Sequence, residues 1–278
     1  MHWNPEMSLW AGGIALHILL LAVLFACSRI RRFPFFTLLI FFYVLRSLAL
    51  YVTYNRIARG AYTEMRLGLA LTDVVLETLV LLGLAWQGLK GAGFTPRFAI
   101  PGSFVGLVVA ASLPIFWGEW PAMAWPGSAG FDWTMLASVI ANKGNLFVQA
   151  LAIVVALAVL VSSRKTGLRW TNHIRRLLQG FSVYALVSIA ASALIQHLET
   201  TLKPTTLQEY QAALTKLRNL SMLPTVVYFL VVVYWIVTLW MPDGPQQHSE
   251  PLTVDESPEL LSAPEVPAKT EEPEAETH

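Results

Sequence analysis

Cysteine occurs once in the 278 residues, at Cys27. A single thiol excludes a disulfide within the chain and any Cys-x-x-Cys metal or redox site. Charge is also scarce: 13% of the residues are charged against 55% hydrophobic, and mean hydropathy is +0.54. A soluble domain of this size would carry a more charged surface, so the composition belongs in lipid. Catalytic patterns are missing too. There is no Gly-x-Ser-x-Gly nucleophile turn and no His-Glu-x-x-His, and Asp73-x-x-x-Glu77 lacks the further acidic repeats of a metal-dependent prenyl or phosphoalcohol transferase. No histidine pair stands at metal-ligand spacing, so neither metal, haem nor another cofactor is expected. Nothing in the pattern supports an enzyme, and nothing supports nucleic-acid binding.

What the chain does have is long apolar runs. A bilayer core about 30 Å thick needs about 20 residues of helix at 1.5 Å each. Seven runs reach that length, at 8–28, 35–54, 67–86, 98–117, 145–163, 177–197 and 220–240. The fourth is interrupted by Pro101, Gly102, Gly106 and Pro114, which a membrane helix tolerates as kinks where neighbours re-satisfy the backbone. The first run ends at Leu24-Phe25-Ala26-Cys27, where Phe25 is too bulky for lipoprotein processing. Its basic residues, Arg29, Arg31 and Arg32, follow the apolar stretch, whereas a signal peptide has them first. The run is therefore read as a retained helix. The expected fold class is an all-α polytopic membrane protein, a bundle of seven transmembrane helices over residues 1–241. The seventh run holds no lysine, so a retinal Schiff base there is excluded.

Orientation follows from Lys and Arg near the span ends. With the amino terminus outside, cytoplasmic loops hold Arg29, Arg31, Arg32, Lys90, Arg97, Arg164, Lys165, Arg169, Arg175 and Arg176. Outer loops hold only Arg56, Arg59, Arg66, Lys203, Lys216 and Arg218. Tryptophans are expected as anchors at both interfaces, with Trp10 and Trp133 among those outside and Trp86, Trp235 and Trp240 inside. The stretch 117–133 reads as an outer flap, and 131–142 as an outward extension of the fifth helix or an interfacial turn. A short outer helix is possible at 206–214.

Residues 242–278 are a different object. They carry ten Asp and Glu against Lys269 alone, a charge of −9, which leaves the rest of the +1 chain at +10. Repeated proline and few bulky apolar residues make this a disordered acidic cytoplasmic tail. It has no room for an output domain, so any signal has to leave through a separate protein partner of the tail. The other expected partners are the lipid bilayer and an unidentified small ligand or ion. The expected location is the cell membrane, as a multi-pass protein.

Ionisable groups within the apolar runs carry the functional information, because each costs several kcal/mol in hydrocarbon unless it faces the bundle interior. Counting about 1.5 Å per residue from the nearest cytoplasmic basic anchor places Arg46 about 21 Å, Glu77 about 20 Å and His17 about 18 Å from that side. Asp73 is one turn beyond Glu77 on the same face. The count pairs Arg46 with Glu77 and leaves Asp73 above. Lys143, Asn145 and His197 fall near the outer interface, at the rim. The outer half of the bundle thus holds charge that the inner half lacks, which suggests an external vestibule floored by Arg46, Asp73, Glu77 and His17. Each residue also has a structural reading: a buried pair holding two helices in register, a neutral hydrogen-bonded histidine, a snorkelling lysine. The leading functional expectation is a sensory or ligand-binding membrane protein. The alternatives are a small proton- or cation-coupled transporter and a non-catalytic accessory or scaffold subunit.

Overall fold

The computed structural model describes residues 5–54, 56–91, 108–109, 111–112, 131–165, 172–201 and 206–241. Its long elements are α1 (Pro5–Ala26), α2 (Pro34–Thr53), α3 (Arg59–Gly91), α4 (Trp133–Lys165), α5 (Asn172–Thr201) and α6 (Leu207–Trp240). All six are long and apolar enough to cross a membrane. Their outer faces expose Leu19, Phe41, Leu45, Leu157, Leu186 and Leu230. A surface of that kind suits hydrocarbon rather than water.

The six described helices form a closed ring in which each packs on the next of them, and α6 returns to pack on α1. Side-chain contacts fix their directions. Trp10 stacks on Tyr51 and His17 meets Tyr43, so α2 runs against α1. Tyr43 meets Tyr228 and Phe36 meets Trp235, so α6 also runs against α2 and is therefore parallel to α1, to which His17 ties it through Tyr228. Gly144 lies against Val74, and α3 and α4 descend side by side in the same direction from one cavity to the next.

Local sequence explains the ends. α1 closes with Ser28 in the left-handed region (φ 53°), Ser28 N donating to Phe25 O at 3.0 Å and Arg29 N to Leu24 O at 2.9 Å. This pair of bonds is a Schellman cap with serine where glycine is usual. Six residues after Ser28, Pro34 starts α2 at a position that needs no N–H. Gln87 Nε2 donates to Arg32 O at 3.0 Å and ties this tight connection to α3. α6 begins with a capping box, Thr206 and Glu209 each satisfying the other's backbone N–H.

Several helices are longer than the apolar runs. Residues 206–214 are not a separate outer helix but the first turns of α6, which continues without a break through Pro224. Of the alternatives for 131–142, the helical extension is found, since α4 starts at Trp133. α5 starts at Asn172 and buries His173, which the hydropathy count leaves in a loop. Trp235 is not an interface anchor: it is 2% exposed and fully inside the bundle. Of the run 98–117, only 108, 109, 111 and 112 are described, and they are helical. The remainder of that run, the flap through residue 130 and the tail from 242 lie outside the described residues.

Candidate functional site

All six helices contribute to one cavity of about 480 Å³. Trp10 and His17 come from α1, Tyr43, Arg46 and Ser47 from α2, Asp73 and Glu77 from α3, Asn142 and Asn145 from α4, Tyr184 from α5 and Tyr228 from α6. The cavity lies toward the bundle end at which α1 begins and α2 finishes. Its volume is in the range of small-molecule sites, about 300–1,000 Å³.

The charged floor follows from helix register. Tyr43 and Arg46 stand one turn apart on α2, as do Asp73 and Glu77 on α3, and the two helices run in opposite directions. Tyr43 Oη therefore donates to Glu77 Oε1, and Arg46 Nη1 donates to Asp73 Oδ2. The ion pair is Arg46 with Asp73 and not with Glu77. The reason is the level of the anchors. Gln87, not Lys90, lies opposite Arg32, and fourteen residues along from each arrives at Arg46 and Asp73. The side chains are 31% and 13% exposed, and Asp73 Oδ1 is buried without a hydrogen-bond partner among the described residues.

His17 is buried and held at both ring nitrogens. Nδ1 lies 2.6 Å from Gly13 O, which can only accept, so Nδ1 carries the proton. In the neutral ring Nε2 then accepts from Tyr228 Oη at 2.7 Å. Tyr43, Tyr184 and Tyr228 meet at steep angles: Tyr43 and Tyr228 at 84° with centroids 6.3 Å apart, Tyr184 and Tyr228 at 66° and 5.5 Å.

Beneath Glu77 the character changes. A void of about 20 Å³, large enough for one water molecule, is lined by Leu39, Phe181, Trp235 and Gln149. Gln149 Nε2 donates to Ser188 Oγ at 2.9 Å. Phe36, Phe181 and Trp235 then pack edge-to-face or tilted, with centroids 4.7–6.2 Å apart, among the fully buried Leu39, Leu81, Leu151 and Leu177. Trp235 fits because residue 180 is glycine; a Cβ there would strike the indole nitrogen. The polar cavity thus ends on an aromatic and aliphatic plug. To the side, a second cavity of about 350 Å³ between α1 and α6 shares Trp10, His17 and Ser47 with the first. Leu9, Ile14, Met222 and Phe229 are also in its wall.

Of the sequence-derived candidates, Arg46, Asp73, Glu77, His17 and Asn145 come together around the main cavity. Lys143 and His197 are not in its wall; His197 is exposed on α5. Residue counting missed Tyr43, Tyr184, Tyr228 and Gln149. Their signal was a hydroxyl or amide inside an apolar run, a group that needs a partner when buried. No family model, no curated protein and no solved structure matches the chain.

Proposed function

We propose that this is a seven-span protein of the cell membrane, amino terminus outside and acidic tail inside. In this reading a small ligand enters the vestibule from outside and biases a conformational change felt by a separate cytoplasmic partner of the tail. The carrying observation is the combination of an open polar cavity built by six helices with an apolar plug directly beneath it. Each helix supplies a wall residue, so a ligand there can act on the relative positions of all of them.

The topology has its own support. α3 and α4 run parallel as neighbours, and the 33 residues of α3 extend about 50 Å. The end of α3 and the start of α4 therefore lie at opposite ends of the bundle, which is the arrangement a seventh span over 98–117 calls for. α1 and α6 are parallel as well, which puts the start of one and the end of the other at opposite faces. The excess of Lys and Arg in alternate loops makes the face where α6 ends the cytoplasmic one.

A proton- or cation-coupled transporter is the second reading, favoured by Glu77, a carboxylate outside the Arg46 ion pair. Proteoliposomes separate the two. With an imposed pH or sodium gradient, the receptor reading expects no flux above that of empty vesicles. Proton or sodium flux that Glu77→Gln abolishes would establish the transporter instead.

A further inference from the structure

We infer that the vestibule selects a small organic monocation, an alkylammonium-type group held between Glu77 and the faces of Tyr43, Tyr184 and Tyr228. The inference rests on the vestibule being a ligand site, and three observations on the wall narrow the class.

The first is charge. Two carboxylates, Asp73 and Glu77, face one guanidinium, and that guanidinium is committed to Asp73. Among the described residues Glu77 has one neutral donor, Tyr43 Oη. A carboxylate this deep takes either a proton or a cation.

The second is the direction of the hydroxyl protons. Tyr43 directs its proton to Glu77 and Tyr228 directs its proton to His17. Both phenolic oxygens are thereby left to offer lone pairs to the cavity. Asn142 and Asn145 at the rim add amides that can accept as well as donate, so the two phenolic oxygens are what tilt the wall toward acceptors.

The third is the geometry of the rings. Tyr228 stands at 84° to Tyr43 and 66° to Tyr184, so the three form adjoining walls rather than a stack. Rings at steep angles around a space can each turn a negative face toward one cation, the arrangement by which quaternary ammonium groups are recognised.

Other ligand classes fit less well. No group of three or more His, Cys, Asp and Glu that could hold a metal ion occurs among the described residues. A hard cation such as calcium needs about six to eight oxygens converging at about 2.3–2.6 Å, whereas here one carboxylate is engaged by Arg46 and the other by the Tyr43 hydroxyl. An anion would have to displace Asp73 from Arg46 while approaching Glu77.

The test is calorimetric titration of the full chain in nanodiscs with tetramethylammonium and with butylammonium, and with sodium acetate as the anionic probe. Saturable binding of at least one ammonium probe is expected, weakened at least about tenfold by Glu77→Gln, which keeps the shape and an acceptor for Tyr43. Tyr184→Leu should weaken it about threefold to thirtyfold, and Tyr184→Phe, which keeps the ring, should leave it nearly unchanged. Equal weakening by both Tyr184 variants, or unchanged affinity in Glu77→Gln, would overturn the cage. Acetate binding that Arg46→Gln removes, without ammonium binding, would overturn the cation class and leave the vestibule a ligand site. No binding of any probe would overturn the cation class too; the vestibule itself would fall only if a cysteine at Ser47 were also closed to aqueous thiol reagents.

Discussion

Arg46 on α2 donates to Asp73 on α3, so the ion pair joining the two helices leaves Glu77, one turn further along α3, outside it. A partly buried pair of this kind is sensitive to losing one partner and tolerant of losing both. Arg46→Gln or Asp73→Asn alone should each destabilise the protein by about 1–3 kcal/mol, while the double variant costs less than the sum. Thermal unfolding in detergent over the four-variant cycle measures the coupling. Additive losses would show that the pair does not hold α2 against α3.

His17 is specified as the Nδ1–H tautomer by the carbonyl of Gly13. Nitrogen NMR of labelled histidine in the folded protein should show a protonated Nδ1 and an unprotonated Nε2 that accepts a hydrogen bond. Tyr228→Phe leaves Nε2 without its donor and should cost about 1–3 kcal/mol. It should also shift the Nε2 resonance toward that of a free acceptor. An Nε2–H tautomer would contradict the assigned direction of the Tyr228 hydroxyl.

That Arg46, Asp73, Glu77 and His17 gather in one part of the bundle was legible in the sequence, because helical rise per residue is constant. The choice of partner was not. Counting assumed that Arg32 and Lys90 mark the same level, whereas Gln87 is the residue opposite Arg32, a displacement of about one turn. That offset moves the pair from Glu77 to Asp73. The tyrosines were hidden for a different reason. Aromatic residues in an apolar run are mostly packing or lipid-facing, and which of them turns inward depends on helix rotation, which a one-dimensional count does not contain. Helix lengths were underestimated because hydropathy measures the width of hydrocarbon, while the backbone of α3, α4 and α6 stays helical beyond it.

Gly180 is where α5 admits the indole of Trp235. Gly180→Ala should destabilise the protein by about 1–3 kcal/mol through overpacking, despite alanine's better helix propensity. Trp235→Phe in the same chain should recover part of that loss, since it makes room and removes an indole N–H that has no acceptor among the described residues. A stabilised Gly180→Ala variant would mean that the plug is looser than this packing.

Ser28 holds a backbone conformation that a side chain disfavours. Ser28→Gly keeps both bonds of the cap and should raise stability by about 0.5–1 kcal/mol, read as a higher unfolding temperature. A fall would place an unrecognised role on the serine hydroxyl.

The central claim is a water-filled vestibule that stops at the plug, and the access of water to two positions tests it most directly. Single cysteines are placed by Ser47→Cys, in the cavity wall, and by Leu81→Cys, in the fully buried apolar layer, each in a Cys27→Ser background. A membrane-impermeant thiol reagent is then applied from each side. The expected result is labelling of position 47 from outside only and of position 81 from neither side. Labelling of position 81 from the cytoplasmic side, or of position 47 from both, would contradict the closed vestibule and replace it with a path through the membrane.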